Sequence, residues 1–446
     1  MSSSLSGKKR LPLVQLVAVI FLTVSGGPYG LEPLLTYAGN NGALLLLIIT
    51  PLLWDVPTIF TVLELNSMMP VTGGYYQWVK KALGLRFAFY EGWWTWLYTF
   101  VDLAIYPVLF VEYASYFFPG IEAYKIPICL IIIWAGAGLN ILGIVPVGET
   151  SLVLGTIVIA PFIILFITAF ASHDVLFSVP HLSLSGVHFS SLGLALLTVM
   201  WNFCGWDNTM TYASEVKKPI RSYIQSTITA FILIFTVYFF TVLTAQASGI
   251  NFSVLNDKGF PAVGLLIGGN WLGALIAAGG MASTLGLFSA VLLSVSRVPK
   301  VMSDDKLLPK KLHSVHPKFK TPYISIIVCA VIVSVMILWT FADLLIIDIT
   351  LYGAGLFLEF LSLIMLRKKM ANAKRPFKIK LNIAGLCIMT AIPFSVYLIA
   401  LSGSFMQSEN FSAALFGVIA LLSAEIIWQI ITRVNPSIKT ATSRAQ

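Results

Sequence analysis

Charged residues are scarce in this chain. Asp, Glu, Lys and Arg make up 11% of its 446 residues, whereas 58% are hydrophobic. A soluble protein of this size carries about 25% charged residues, so most of the chain does not face bulk water. The composition excludes an ordinary soluble domain and indicates one membrane-embedded unit.

Motifs for metal binding and for catalysis are missing as well. The four cysteines stand apart in hydrophobic runs, without a CxxC pair. No HExxH, GxSxG or Walker A sequence occurs, and the five histidines lie between the hydrophobic runs. The sequence therefore predicts no enzyme, no metal site and no bound cofactor.

Long hydrophobic runs, by contrast, are plentiful. A spanning helix needs about 20 mostly apolar residues, and twelve runs meet this requirement, with a short interfacial helix predicted within 71–86. The runs cover 11–38, 42–66, 87–118, 125–145, 149–171, 189–214, 221–248, 267–297, 322–341, 343–366, 382–402 and 411–432.

Lys and Arg are distributed unevenly between the connections of these runs. If the N-terminus is cytoplasmic, 26 of the 28 basic residues lie inside, and Lys125 and Lys258 alone lie outside. Because basic residues favour the cytoplasmic side, twelve spans of a cell (cytoplasmic) membrane with both termini in the cytoplasm are expected. This pattern accounts for the net charge of +9 without a nucleic-acid partner.

Two runs are interrupted at mid-membrane depth. The first has SGGPYG at 25–30, and the sixth has WNFCGWDN at 201–208. Proline inside a helix costs about 3 kcal/mol and glycine about 1, and lipid offers no partners for the freed backbone groups. A proline kink with close-packing glycines is the alternative for the first run. Because the two runs open two five-helix halves, their matching breaks favour a solute site between inverted repeats.

Acidic residues inside the runs lack basic partners there. An ionised side chain at a span's centre costs about 2.5–3.5 kcal/mol, so an interior of one sign favours a cationic guest or protons. The third run places Asp102 and Tyr106 on one face, and the tenth repeats the spacing with Asp348, Tyr352 and Glu359. A carboxylate beside an aromatic ring can bind an ammonium group. Helix–helix hydrogen bonding is the alternative.

Several stretches resemble the amino acid–polyamine–organocation superfamily of permeases. They are SGGPYGLE, ELNSMMPVTGGYYQWVKKALG, FCGWDNTMTYASEVKKPIRSY and SRVPKVMSDDKLLP with HPKFKTP, in order along nearly the whole chain. SGGPYGLE and DLAIYPVLFVEY are most similar to the polyamine-uptake and cationic amino acid branch. In many amino acid permeases a Gly-Ser-Gly run holds the substrate carboxylate. Here Pro28 follows Ser25, Gly26 and Gly27 and removes one N–H donor.

The resemblance implies an all-α membrane protein of twelve helices. Its leucine-transporter-like core would contain 5+5 inverted repeats, with the substrate between the broken first and sixth helices. The expected parts are a cytoplasmic N-terminus at 1–10, a core at 11–366 with repeats 11–171 and 189–366, a cytoplasmic basic loop at 367–381, two peripheral helices at 382–432 and a cytoplasmic tail at 433–446.

The candidate residues fall into two groups. Those expected to bind substrate are Ser25, Gly26, Gly27, Tyr29, Asp102, Tyr106, Asn202, Cys204, Gly205, Trp206, Asp207, Tyr352 and Glu359. Those expected to couple an ion or to gate are Glu32, Glu64, Glu112, Glu215, Ser283 and Thr284. Glu64 and Glu215 are expected to pair with Lys80, Lys81, Lys217 or Arg221.

These features favour a secondary active transporter of amino acids or polyamines, leaning to cationic amines. It would work by alternating access, either coupled to H⁺ or Na⁺ or as an exchanger. A neutral amino acid permease is the alternative, and a transporter-like membrane receptor is the alternative from another class. The sequence contains no selectivity-filter repeat, so it does not favour a channel.

Overall fold

The computed structural model describes residues 11–172, 175, 177, 182–337, 341–406, 411–435 and 438, with the backbone alone at 341–345 and 411–414. The predicted N-terminal segment 1–10, most of the tail, His173 and His181 lie outside these residues. The described part is all-helical. It holds nine helices long and apolar enough to span a membrane, and three shorter apolar helices. One of these twelve segments overlaps each predicted run.

The helices follow the hydrophobic pattern. The first eight are α1 (Leu13–Val24), α2 (Glu32–Thr50), α3 (Val56–Met68), α4 (Gly74–Leu83), α5 (Leu85–Ser115), α6 (Lys125–Leu142), α7 (Ile144–Ala171) and α8 (Phe189–Asn202). The others are α9 (Pro219–Ala247), α10 (Phe252–Lys258), α11 (Phe260–Gly268), α12 (Asn270–Val295), α13 (Arg297–Asp304), α14 (Tyr323–Met336), α15 (Phe341–Lys369), α16 (Ile383–Phe405) and α17 (Phe411–Val434).

The first predicted break is confirmed. α1 ends at Val24 and α2 begins at Glu32, and between them Gly26, Gly27 and Gly30 have φ values of 61°, 97° and 94°. L-residues with a side chain rarely adopt this left-handed region. α2 kinks at Gly39 (φ 65°) and continues through a π-helical turn at Pro51–Asp55 into α3. The first two predicted runs are therefore joined by a kink rather than by a loop.

The predicted sixth helix, 189–214, is too long. α8 ends at Asn202, and the chain then makes two 3₁₀ turns, Asn208–Met210 and Ala213–Glu215, before α9. Gly205 has φ 101°, and the hydroxyls of Thr209 and Thr211 donate to nearby carbonyls of the same segment. Side-chain bonds of this kind compete with helical ones, so no second helical half forms.

Helix packing brings both breaks to the centre. α12 packs against α1, α5 and α7, and α15 packs against α5 and α8. Two helices lie outside this group: α16 packs against α8 and α15, and α17 packs against α15 and α5. The interfacial helix predicted within 71–86 is observed as α4, whereas α10 and α11 were not predicted because each is too short to give a spanning pattern.

Candidate functional site

A cavity of about 30 Å³, here called the central cavity, lies between the two breaks. This volume accommodates about two water molecules, so a larger solute enters only when the walls move apart. The lining residues are Thr23, Val24, Ser25, Tyr98, Asp102, Tyr106, Trp201, Asn202, Cys204, Gly205, Asn208, Leu287, Asp348 and Tyr352.

Two carboxyl groups face the central cavity, Asp102 from α5 and Asp348 from α15. The Tyr106 hydroxyl donates to Asp102 Oδ2 at 2.5 Å, whereas Asp348 Oδ1 has no hydrogen-bond partner. Within the described part of the chain, no Lys or Arg lines this cavity. Neighbouring buried carboxylates repel each other, so the pair requires a cation or protons.

Tyr352 connects the cavity wall with Asp207. Its hydroxyl donates to Asp207 Oδ1 at 2.9 Å and accepts from the Gly205 N–H at 3.2 Å. The Tyr98 and Tyr352 rings pack nearly perpendicular to each other, with 5.4 Å between their centroids, and Asn208 Nδ2 donates to the Tyr98 hydroxyl at 2.8 Å. Aromatic rings and a carboxylate therefore stand side by side at this wall.

The unpartnered polar atoms of the cavity lining are all acceptors. Asn202 Oδ1, Asn208 Oδ1 and Asp348 Oδ1 are buried without a hydrogen-bond partner, and all three residues line the central cavity. Buried polar atoms are normally satisfied. The cavity is therefore chemically matched to a guest that donates hydrogen bonds and carries positive charge.

Backbone N–H groups of the first break are mostly occupied within the chain. Pro28 has no N–H group, and the N–H groups of five other residues donate to acceptors within the chain. These five bonds are Ser25 and Gly26 to the Phe21 carbonyl, Gly27 to Ser25 Oγ, Gly30 to Glu32 Oε2, and Leu31 to the Pro28 carbonyl. A guest carboxylate would have to displace these bonds.

A larger cavity of about 660 Å³, here called the vestibule, lies on the other side of Trp201. Trp201 lines both cavities. Glu32, Glu112 and Asp257 bring carboxyl groups to the vestibule, and Lys258 contributes one basic group. The vestibule is at the end of the bundle that carries few basic residues, and it leads toward the central cavity.

The opposite end, where most basic residues lie, is called the basic end and is closed by ion pairs. Arg297 contacts Glu215 at 3.3 Å, and Lys80 contacts Asp305 at 2.5 Å. The Tyr76 hydroxyl also donates to Asp305, at 2.6 Å. Burial, reinforced by the Asp305 carboxylate, raises the pKa of Tyr76 above its ordinary value of about 10, so this phenol remains protonated and can donate.

The expected partners of Glu64 and Glu215 were wrong. Glu64 pairs with Arg367 and with Arg375, the latter at 3.3 Å, and it also accepts from the Ile379 N–H at 2.8 Å. The predicted basic loop 367–381 begins inside α15, which ends at Lys369. The end of α15 and the loop after it lie against α3, which places two guanidinium groups at Glu64. Glu215 pairs with Arg297 of α13.

Comparison with known proteins identifies the family. The sequence pattern of the amino acid permease family matches residues 11–422. The chain belongs to this family. It is therefore a multi-pass membrane transporter and not an enzyme.

Individual relatives cover most of this permease. It is 31% identical to the polyamine transporter RMV1 of Arabidopsis thaliana over 96% of its own length and 86% of the relative's. It is 32% identical to a probable polyamine transporter of the same plant, over 88% and 82% of the two chains. The serine/threonine exchanger SteT of Bacillus subtilis is 24% identical over 84% and 87%.

The structure brings about half of the predicted substrate residues to the central cavity of the permease. Tyr29 instead donates to the Ile276 carbonyl at 2.6 Å, and Trp206 donates to Asp55 at 3.2 Å. The residues at the cavity are Ser25, Asp102, Tyr106, Asn202, Cys204, Gly205 and Tyr352, and those outside its lining are Gly26, Gly27, Tyr29, Trp206, Asp207 and Glu359.

The predicted ion-coupling hydroxyls have partners within the protein. Ser283 donates to the Gly26 carbonyl, and Thr284 donates to the Met281 carbonyl of its own helix at 2.9 Å. Glu32 accepts from the N–H groups of Gly30 and Phe260. Glu32 and Glu112 both belong to the vestibule. Glu32 and Glu112 therefore lie on the access route, and Ser283 and Glu32 hold the first break in shape.

Some site residues were not predicted. Tyr98 is one helical turn before Asp102, and this spacing was available in the sequence. Asn208 belongs to the predicted interruption at 201–208 but is not among the predicted substrate residues. Glu91, a buried carboxyl group of α5, was overlooked although it lies inside the third run.

Cys204 provides a reporter of access to the central cavity. In a Cys387→Ser background, which removes the exposed thiol, Trp201→Ala should join the vestibule to the cavity. We expect a cationic methanethiosulfonate to label Cys204 about 10-fold faster in this variant, and an anionic reagent to gain much less, because the cavity is acidic. Labelling followed by mass spectrometry measures both rates. Equal acceleration of the two reagents would contradict an electronegative cavity.

Proposed function

We propose that this permease is a secondary active transporter that carries small cationic amines, polyamines or cationic amino acids, across the cytoplasmic membrane. The observation that carries the proposal is the central cavity, where the unpartnered polar atoms are acceptors and two carboxyl groups have no basic partner among the described residues. An ammonium group supplies positive charge for the two carboxyl groups and hydrogen-bond donors for the unpartnered acceptors.

Aromatic side chains support the same substrate class. Tyr98, Tyr106, Tyr352 and Trp201 line the cavity together with the carboxyl groups. A ring face attracts a cation by about 0.5–2 kcal/mol, depending on how far the cation is desolvated. The methylene segments of a diamine can pack against the same rings, so the lining suits both the charge and the apolar part of such a solute.

A neutral amino acid permease is the second candidate. The similarity to the serine/threonine exchanger favours it. Recognition of an α-amino acid needs donors for its carboxylate, and five N–H groups of the first break already donate within the chain. The similarity to proteins named as polyamine transporters agrees better with this occupied backbone.

We propose a twelve-span architecture with 5+5 inverted repeats at 11–171 and 189–366. The interruptions that follow α1 and α8, each the opening helix of its half, support this arrangement. The loop 367–381, the peripheral helices at 382–432 and the tail complete it. The location of 26 of the 28 basic residues favours a cytoplasmic basic end and cytoplasmic termini.

The two unlike ends of the bundle support a mechanism of alternating access. In the described conformation the vestibule is open toward the outer side, whereas ion pairs of Glu215 and Asp305 close the basic end. Release into the cytoplasm then requires these pairs to separate after Trp201 has closed over the solute. Uptake of a cation is aided by the membrane potential, by about 2.3 kcal/mol per charge per 100 mV.

Counterflow in liposomes tests the proposal. Liposomes loaded with unlabelled putrescine should accumulate labelled putrescine in a saturable manner, and arginine should compete better than serine. Protein-free liposomes and serine-loaded proteoliposomes are the controls. Exchange of serine without exchange of putrescine or arginine would support the neutral permease. Binding of an amine without any counterflow would indicate a receptor.

A further inference from the structure

A second pair of buried carboxyl groups lies between the central cavity and the basic end. Glu91 of α5 is 1% exposed and Glu359 of α15 is 0% exposed. Glu91 precedes Asp102 by eleven residues, and Glu359 follows Asp348 by eleven. Eleven residues of α-helix rise about 16 Å. Because α5 and α15 run in opposite directions between the two ends, the second pair lies about 16 Å nearer to the basic end than the first.

Close packing of α5 on α15 holds the second pair together. Gly355 lies one turn before Glu359 on α15, and a Cβ atom added to it would be 2.9 Å from Glu91 Oε1. A larger residue at this position would displace the Glu91 carboxyl group. Glu91, Glu359 and Asp207 lie within electrostatic reach of one another.

The pair lacks the partners that buried carboxylates normally have. Neither oxygen of Glu359 has a hydrogen-bond partner, nor does Glu91 Oε2, and Thr95 donates to Glu91 Oε1 at 3.5 Å. The other titratable groups that face the pair are Tyr75 of α4 and Asp207, neither of them basic. Two unpaired ionised carboxylates in such a site would be strongly destabilising, because burial removes their hydration without supplying partners.

A proton is the occupant that this geometry favours. The linings of the central cavity and the vestibule do not include Glu91 or Glu359, so the pair is outside the space available to an ammonium group. A sodium ion needs several oxygen ligands around a vacant centre, whereas a proton needs only one carboxyl oxygen and an acceptor beside it.

Resting on the transport function proposed above, we propose that Glu91 and Glu359 share one proton and form the coupling site of this permease. A hydronium ion from the outer side transfers its proton and becomes water; an O–H bond forms on one carboxylate while the other accepts a hydrogen bond from it. When the basic end opens, that O–H bond breaks and the proton passes to cytoplasmic water. Asp207 lies between the pair and Tyr352, so a cation at the Tyr352 wall and a proton at the pair act on the same carboxylate.

Glu359→Gln and Glu91→Gln test the coupling site, because glutamine retains the shape of a protonated carboxyl group but cannot release a proton. In each variant, the putrescine accumulation driven by an inward proton gradient should fall at least 10-fold below wild type. Putrescine counterflow should stay within about 2-fold of wild type. Glu359→Asp, which retains a titratable group, should recover part of the accumulation. Glu122→Gln, a change at an exposed residue of the 3₁₀ turn Ile121–Tyr124, is the matched control.

Wild-type protein supplies a measurement that does not depend on variant folding. Addition of putrescine should acidify the interior of proteoliposomes, as reported by an enclosed pH dye. Absence of this acidification, loss of counterflow in either Gln variant, or unchanged gradient-driven accumulation in both would overturn the coupling site. Failure of wild-type counterflow would instead refute the transport function itself.

Discussion

Asp102→Asn should weaken putrescine binding by at least about 100-fold. Asn is close to Asp in shape and can still accept from the Tyr106 hydroxyl, but it provides no charge for a buried ammonium group. Removing one partner of a buried ion pair costs about 3–5 kcal/mol, which corresponds to at least a 100-fold change at about 1.4 kcal/mol per tenfold. Isothermal titration of detergent-purified protein with putrescine measures the effect.

Two comparisons separate charge recognition from general damage. Serine binding, where it is measurable, should change much less in Asp102→Asn than putrescine binding does. Asp348→Asn should behave like Asp102→Asn, because the two carboxyl groups line the same cavity. An equal loss for putrescine and serine at unchanged thermal stability would mean that Asp102 shapes the cavity but does not recognise charge.

Glu64→Ala should destabilise the protein by about 3–5 kcal/mol. The change leaves Arg367 and Arg375, whose side chains are 9% and 3% exposed, without their shared carboxylate. Buried charges deprived of a partner are costly, and the Ile379 N–H also loses its acceptor. The basic loop 367–381 should detach from α3. Thermal unfolding in detergent and limited proteolysis at this loop measure both consequences.

Glu425→Ala is the matched control for this ion pair. Glu425 contacts Arg86 at 2.6 Å, but the two side chains are 34% and 50% exposed. Exposed ion pairs contribute at most about 1 kcal/mol, so the control should unfold close to wild type. If both variants unfold at the same temperature, burial does not make the Glu64 pair important, and loop 367–381 is held by other contacts.

The location of each ion pair also has a functional consequence. Arg297 and Lys80 close the basic end through Glu215 and Asp305, and these pairs join α13, α4 and the segment after α8. The Glu64 pairs join α3 to the end of α15 through Arg367 and to the following loop through Arg375. The former connect elements that must separate for cytoplasmic release, whereas the latter fasten a loop to the bundle. Weakening the Glu215 and Asp305 pairs should therefore affect transport, whereas weakening the Glu64 pairs should affect stability.

Local chemistry allowed the first break to be predicted. Three glycines and a proline within 25–30 cannot continue a helix without a large cost, and this holds whatever surrounds them. The twelve hydrophobic runs and the one-signed interior follow from the sequence for a similar reason, because the lengths of apolar runs and the placement of charges respond to the bilayer and not to particular neighbours.

The second break is predicted at 201–208 and is confirmed, but its extent depends on contacts that are distant in the sequence. Tyr352 accepts from the Gly205 N–H, and Asn208 reaches Tyr98 on α5. Apolar content alone extended the predicted helix to residue 214, because it contains no information about these partners. The same reason explains why the sequence predicts Lys80, Lys81, Lys217 or Arg221 as partners of Glu64. Its partner Arg367 lies 303 positions away.

Composition and local spacing are enough to predict that this chain lies in a membrane, that its first and sixth runs are interrupted, and that its interior is acidic. Helix packing establishes which acids are neighbours: Asp102 and Asp348 at the central cavity, and Glu91 and Glu359 nearer to the basic end. Helical spacing tells which residues share a face of one helix. Which faces of two helices meet depends on how residues from distant parts of the chain pack together. Gly355 is an example, because its lack of a side chain leaves room for the Glu91 carboxyl group.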